Sequence, residues 1–350
     1  MAVEKLETEA KDIMYAAIDH HKAMFQAATL DPETGVAGDE RFQGSRDGLG
    51  IWMERWQGRV TDVALEASTG WRWITQELEA HGFRVHLDDP AEARAKRGRT
   101  KKAKTDKLDA RWLVLLLCKQ DLPEAWIPPE EIQQLRAKTR LRKALADDRT
   151  RWAQRLHAVL HHEGWPCRRS QLLTKKARQW VAALRLPGAA QQQVTAYQFL
   201  IETLEAQLQP LENELRHFAE GDPRCQALMK LFGVGPIIAC HLLAEIGSAL
   251  RFRRARQLVR LSGLDPIVEE SGERRRRGKL AKQGPPLLRW AAVEAAQHGR
   301  RFNSPDRHLW AASSRRSGPN RATLTVARKL LRRSYHVLRR IELGEQEVAA

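Results

Sequence analysis

The sequence predicts an α/β domain followed by an all-α region. Three observations carry this reading. Strand-like and helix-like segments alternate over the first third of the chain. The pattern turns helical, with few breakers, from residue 130. A heptad-spaced apolar seam then runs through residues 194–218.

Taken in order, residues 12–30 read as two strands. Ile13, Tyr15 and Ala17 alternate, and residues 23–30 are apolar after a His-His-Lys turn. Residues 48–55 read as a helix. Residues 60–66 (VTDVALE) read as a short buried strand that stops at a Ser-Thr-Gly break. Residues 71–81 form an amphipathic helix pattern, 83–87 another strand, and the apolar run 112–118 fits a buried helix face. Residues 130–162 read as one helix. Beyond it, Val194, Tyr197, Ile201, Leu204, Leu208, Leu211, Leu215 and Phe218 are separated alternately by three and four residues. That is a coiled-coil seam, and its partner is either a second protomer or residues 130–162 of the same chain, with oligomerisation the favoured use. Pro210 predicts a bend or local break in it. Gly221-Asp222-Pro223 closes the segment, and residues 224–341 read as a second helical domain. The expected domains are thus 12–125, 130–220 and 224–341.

Composition narrows the function. The 350 residues carry 60 Lys+Arg against 43 Asp+Glu, a net charge of +17. A hydrophobic content of 42% with 11 Trp excludes a disordered polybasic chain. No apolar run approaches the roughly 18–20 residues that span a bilayer, so no membrane is expected. The polar start MAVEKLETEAKD is no signal peptide. Cys118, Cys167, Cys225 and Cys240 form no close pair in sequence, against a zinc ribbon or a disulfide scaffold and in favour of a reducing, cytoplasmic setting. The charge is concentrated: residues 251–340 hold 24 Lys/Arg and 6 Asp/Glu, and residues 93–107 hold eight basic residues and one Asp. Such blocks suit a polyanion, whose phosphates shed counterions when Arg and Lys neutralise them.

Three groups of residues suggest chemistry. Asp19 and Glu66 close predicted strands, and Asp106 and Asp109, at i,i+3, share one face if their segment is helical. Four such carboxylates suit two hard divalent cations acting on a phosphodiester. Singly each has an ordinary reading, Asp106 or Thr105 as a helix cap and Asp109 as a first-turn acid. The second group is Gly233-Val234-Gly235 between two helical stretches, which reads as a helix–hairpin–helix whose backbone N–H groups approach phosphate, or as a plain helix end. The third is Ser271-Gly272 beside Arg274, Arg275, Arg276 and Arg277, then Lys282 and Arg289. A serine in a phosphate-attracting field is a nucleophile if a base or metal activates it. With Lys101, Lys102 and Lys104, these glycines and cations are the candidate nucleic-acid contacts.

The ordered set Asp19-x-His21-Lys22, Glu66 before a glycine turn, Lys104-Thr105-Asp106-x-x-Asp109-Ala110, Gly233-x-Gly235 and Ser271-Gly272 resembles one family. It is similar to the DEDD transposases of the insertion-sequence one-ten group, kin of the Piv DNA invertases, over about residues 13–340. The resemblance implies a RuvC-like, ribonuclease-H-fold domain, a coiled coil and a helical transposase domain. It implies Asp19, Glu66, Asp106 and Asp109 as a Mg²⁺-binding tetrad, two ions per site, and Ser271 as the nucleophile of strand exchange through a protein–DNA phosphoserine link. It further implies donor and target duplex DNA, a structured guide RNA and a homo-oligomer, dimer or tetramer, as partners, in a bacterial cytoplasm with nucleoid association during action. The Ala-Ser-Thr-Gly after Glu66, Pro210, and Pro285 where Asn often stands depart from the family pattern. A structure-specific nuclease, using the acids without the serine, and a non-catalytic nucleic-acid-binding protein are the competing readings.

Overall fold

The computed structural model describes residues 14–35, 37–97, 105–167, 172–271 and 274–344. The chain divides into two compact units, one up to Ile127 and one from Pro128.

In the first unit, β1 (Met14–His20), β2 (Met24–Leu30), β3 (Ala37–Gln43), β4 (Val60–Glu66) and β5 (Arg84–Asp88) form one sheet in the order β3-β2-β1-β4-β5. β1, β4 and β5 are parallel, and β2 and β3 are antiparallel to their neighbours. Side chains alternate across a strand, so each face has its own core. Ala16, Ile18, Val63, Leu65 and Leu87 pack on α1 (Arg46–Trp56) and α2 (Trp71–Ala80) through Leu49, Trp52, Met53, Ile74 and Leu78. Each large apolar side chain buried there contributes about 1.5–3 kcal/mol. The other face carries small residues, Ala17, Ala28 and Ala64. They pack beneath α4 (Asp106–Cys118), with Ala93 of α3 (Pro90–Arg97) in the same core. This mixed sheet covered by helices is consistent with the ribonuclease-H-type domain expected from the resemblance.

β3 was absent from the sequence reading. Its sequence, AGDERFQ, is too polar to read as a buried strand, and every second residue is exposed. It forms because its whole length pairs with β2, and because Asp39 and Glu40 find Arg111 and Trp56 Nε1, the latter at 3.2 Å.

The second unit contains α5 (Glu130–His162), α6 (Lys175–Ala182), α7 (Gly188–Gly221), α8 (Pro223–Met229), α9 (Pro236–Ile246), α10 (Ala255–Leu261), β6 (Pro266–Ser271), β7 (Arg274–Leu280), α11 (Pro286–Ala296), α12 (Arg307–Ser317) and α13 (Pro319–Glu342). α5 and α7 pack antiparallel. Lys138 pairs with Glu214, Arg142 with Glu212 at 2.6 Å, and Arg149 with Glu205 at 3.8 Å, so partners descend α7 as they climb α5. Val194, Ile201, Leu208 and Leu215, one row of the heptad seam, are buried within the chain. The other row, Tyr197, Leu204, Leu211 and Phe218, is only half-buried, less than a fully used seam requires. The first row is therefore packed within the chain, the cis alternative of the two. Of the expected bend or local break, the break does not occur: α7 runs unbroken through Pro210, which lies on its exposed side. Packing along the buried row holds the helix where one backbone hydrogen bond is missing.

The hairpin is tied to α9. Arg136 Nε donates to Ala244 O at 2.6 Å, and the Cys240 thiol to Leu215 O at 3.2 Å. The four cysteines are free thiols, though Cys225 and Cys240, far apart in sequence, are hydrogen-bonded neighbours. Residues 224–341 are not wholly helical: β6 and β7 form an antiparallel hairpin. Its backbone register sets Glu269 opposite Arg276 and Glu270 opposite Arg275. A four-arginine run has no apolar alternation, so the strand was invisible to a hydrophobic-pattern reading.

His241 on α9 is fully buried, edge-on to Trp290 at 4.9 Å, and neither ring nitrogen has a hydrogen-bond partner among the described residues. Burial, followed by the charges of Arg142 and Lys143, lowers its pKa from 6.5 to about 4. The unfolded chain therefore takes up this proton first as pH falls. The stability contribution of the neutral ring is complete above about pH 6.5 and is lost progressively toward pH 4. At 1.36 kcal/mol per pH unit this is about 3 kcal/mol. Denaturant unfolding at pH 7 and pH 4.5 should show a larger loss for the wild type than for His241→Phe. Equal losses would show that the ring is protonated without cost.

Candidate active site

The C-terminal ends of β1, β4 and β5 lie side by side, and each carries an acid. Ile18 pairs with Leu65, so Asp19 and Glu66 follow on adjacent strands, and Glu66 pairs with Asp88. Alternation puts all three on the α4 face. Asp19 and Glu66 stand two residues after Ala17 and Ala64, which face α4, while Leu87 faces the opposite core and turns Asp88 to this side. The alanines let α4 pack closely, and its first turn brings Asp106 and Asp109. Thr105 is the N-cap, its hydroxyl accepting the Leu108 N–H at 3.3 Å. Asp106, half-exposed, is thus released from the capping role that the sequence left open.

Of the four acids expected from the sequence, Asp19 feels the charge of the other three. Asp19 is 5% exposed, and burial first, then Glu66, Asp106 and Asp109, raise its pKa to about 6 against the opposing pull of His21. The His21 Nε2 lies 3.5 Å from Asp19 Oδ2 and 3.3 Å from Asp106 Oδ1. Asp19, His21 and Asp106 can each point a ligand atom to one place, these atoms lying within 4.8 Å of one another. Asp109 is paired with Arg97 of α3. Beneath the strand ends, His20 is buried with its Nε2 3.1 Å from Ser68 Oγ. Oxygen ligands crowded enough to repel one another fit a hard divalent cation such as Mg²⁺.

Two residues of this edge were missed. His21 lies inside the Asp19-x-His21-Lys22 motif, whose spacing alone assigns it no role. Asp88 is 1% exposed, with its pKa raised to about 7 by burial and then by Glu66, while a hydrogen bond from the Ala67 backbone acts the other way. Its signal was present, because Leu87-Asp88-Asp89 ends a strand in an acid as Asp19 and Glu66 do.

The remaining predicted residues are dispersed in role. Ser271 ends β6, opposite Arg274. Its side chain and those of Arg274, Arg275, Arg276 and Arg277 are outside the described residues, as are Lys101, Lys102 and Lys104. Gly233, at φ +86°, is dictated by packing: a Cβ there would stand 2.5 Å from the Ala295 carbonyl oxygen of α11. Gly235 is the exposed N-cap of α9. Arg289 donates to the Ser262 carbonyl at 2.9 Å, so its guanidinium is engaged within the fold, whereas Lys282 is exposed.

Residues 16–163 match a transposase family model, the DEDD transposase domain of the IS110 type, and residues 225–311 match the model of the transposase IS116/IS110/IS902 family. The chain is similar to the putative transposase y4rJ of Sinorhizobium fredii, 31% identical over 67% of this chain and 65% of that protein. It is also similar to the probable family 20 transposase of Pseudomonas aeruginosa, 27% identical over 67% of this chain and 70% of the other. With the transposase for insertion sequence element IS1111A of Coxiella burnetii it shares 23% identity over 93% and 90% of the two chains. The match to the Sinorhizobium protein spans just under two thirds of that protein's length. Among the described residues no helix is long and apolar enough to cross a membrane.

Proposed function

This chain belongs to the IS110/IS116/IS902 family of transposases, and on that premise we propose that it moves an insertion sequence by cutting and rejoining DNA. The observation that carries this is the acidic edge: Asp19 buried at a strand end, with Glu66, Asp106 and Asp109 close enough to raise its pKa. Asp19, Glu66, Asp106 and Asp109 would hold divalent cations, two Mg²⁺ ions in the full reading. Bound there, the ions would polarise the phosphodiester and stabilise charge on the attacking and leaving oxygens. The protein's own share is positional. β1 and β4 fix two carboxylates, and the Thr105 cap fixes the helix turn that bears the other two.

In this proposal Ser271 attacks the DNA phosphorus. The P–O bond to the departing 3′ or 5′ oxygen breaks, and the serine proton passes to solvent or base, leaving a phosphoserine link. That chemistry would join the protein to the serine-using kin of Piv invertases. Lys101, Lys102, Lys104, Lys282 and the arginines of β7 would neutralise phosphates of donor DNA, target DNA and an element-encoded guide RNA, since basic patches serve either polymer. A homo-oligomer, dimer or tetramer, would use the part of the half-buried row Tyr197, Leu204, Leu211 and Phe218 that stays accessible, Tyr197 being already packed on Trp152 of α5. Bacterial cytoplasm, with nucleoid association during action, is the setting this implies.

The test is strand cleavage of duplex DNA carrying the ends of the element, with its candidate RNA and Mg²⁺. We expect cleavage that stops when EDTA chelates the metal and returns on adding Mg²⁺ or Mn²⁺. Cleavage indifferent to EDTA would remove the metal from the mechanism.

A further inference from the structure

Asp88 is the third acid in the row at the ends of β1, β4 and β5, one strand beyond Glu66. Neighbouring strands are about 4.8 Å apart, so its carboxylate stands next to that of Glu66 on the same face. Two features separate it from an ordinary surface acid. The residue is 1% exposed, and its Oδ1 is buried with no hydrogen-bond partner among the described residues. A buried carboxylate oxygen left without a partner is unfavourable. The rest of the carboxylate accepts the N–H of Ala67, the residue that follows Glu66. No cation of the protein pairs with Asp88 among the described residues, unlike Asp109, which has Arg97. An acid buried on the site face, beside two acids already gathered there, invites a cation that it can help to bind.

We propose that Asp88 is a fifth carboxylate of the divalent-cation site, supplying Oδ1 as a ligand oxygen at the Glu66 end while its bond from Ala67 positions the turn after Glu66. The inference rests on the metal-dependent reading above and extends it to a residue outside the tetrad. Carboxylates that hold or orient a metal's ligands typically change affinity by about 10–100-fold when altered.

The experiment measures Mn²⁺ binding to the full chain without nucleic acid, by electron paramagnetic resonance of the free ion, together with the thermal shift that Mn²⁺ produces. Asp88→Asn keeps an acceptor for Ala67 and removes the charge. Asp89→Asn removes a neighbouring charge from a side chain that caps α3 through the Ala91 N–H at 2.9 Å, and controls for net charge alone. We expect Asp88→Asn to weaken Mn²⁺ at least tenfold and shrink the thermal shift, with the metal-free protein as stable as the wild type or more so. Asp89→Asn should lie within threefold of the wild type. Equal effects of the two variants, or Mn²⁺ affinity of Asp88→Asn within twofold of the wild type, would overturn the role. Asp88→Ser gives the same reading if the Asn variant fails to fold. A wild-type chain that takes up no Mn²⁺ would overturn the metal reading itself, and this inference with it, whereas failure confined to Asp88→Asn would leave the tetrad intact.

Discussion

Replacing Ser271 by Ala should eliminate the covalent protein–DNA species while leaving DNA binding within a few fold of the wild type. A serine hydroxyl is a poor nucleophile at its own pKa, and no histidine lies near Ser271 in sequence to act as its base. Its activation would come from polarisation of the phosphate, and the Arg274–Arg277 run beside it adds charge that draws a phosphate in. Loss of one hydroxyl removes little binding energy, whereas loss of a nucleophile removes the reaction path. Strand exchange should therefore fall by about 10³-fold or more, the scale seen when nucleophiles are deleted elsewhere. The measurement is a denaturing gel of DNA end-labelled at the cleavage site, run beside a binding titration. An undiminished protein-linked band in Ser271→Ala would take the serine out of the mechanism and favour a nuclease that uses the acids alone.

Asp19→Asn should have the opposite effects on activity and stability. Lewis-acid stabilisation worth several kcal/mol corresponds to about 10³-fold in rate, at 1.36 kcal/mol per decade. Cleavage should fall on that scale, because Asp19 is the one tetrad member both buried and surrounded by the other three. The metal-free protein should become more stable. With a pKa of about 6 in the fold against 3.8 when exposed, the ionised carboxylate is disfavoured in the native state at neutral pH. The neutral amide relieves this by up to about 3 kcal/mol at pH 7. Thermal unfolding in EDTA and a cleavage time course on the same preparation test both halves. A destabilised Asp19→Asn with full cleavage would reverse the assignment of this residue from catalysis to structure. The combination of gained stability and lost activity is the mark of a site held together against its own charge.

The sequence made the first unit's centre legible because its strands are bounded by sharp signals. VTDVALE between Gly58-Arg59 and Ser68-Thr69-Gly70 gave β4 its observed limits, and Asp19 and Glu66 were readable as strand-closing acids. Asp106 and Asp109 were readable through helix spacing, and Thr105 proved to be the cap. What escaped was structure made by pairing rather than by apolar pattern. β3 is a polar edge strand, and β6–β7 is a hairpin with Arg and Glu in register. Asp88 escaped for a different reason: the apolar pattern ends its strand at Leu87, and only the register with Glu66 brings the next residue onto the site face. The heptad seam was found residue by residue, but periodicity is silent about where the partner helix comes from. The ion pairs of Arg142 and Arg149 with α7 supplied that answer for the buried row.

The antiparallel arm of α5 and α7 has a consequence for how this protein can vary in length. Helices of 33 and 34 residues rise about 50 Å, at 1.5 Å per residue. Inserting seven residues into one helix and seven into the other at the matching level lengthens the arm by about 10 Å and returns Val194, Ile201, Leu208 and Leu215 to the same side. Inserting two residues in each would swing the buried row by more than half a turn onto the wet face and uncouple Arg142 from Glu212. Chains that share this arm should therefore differ in its length by paired, whole heptads, so that the arm behaves as a ruler graduated in steps of about 10 Å.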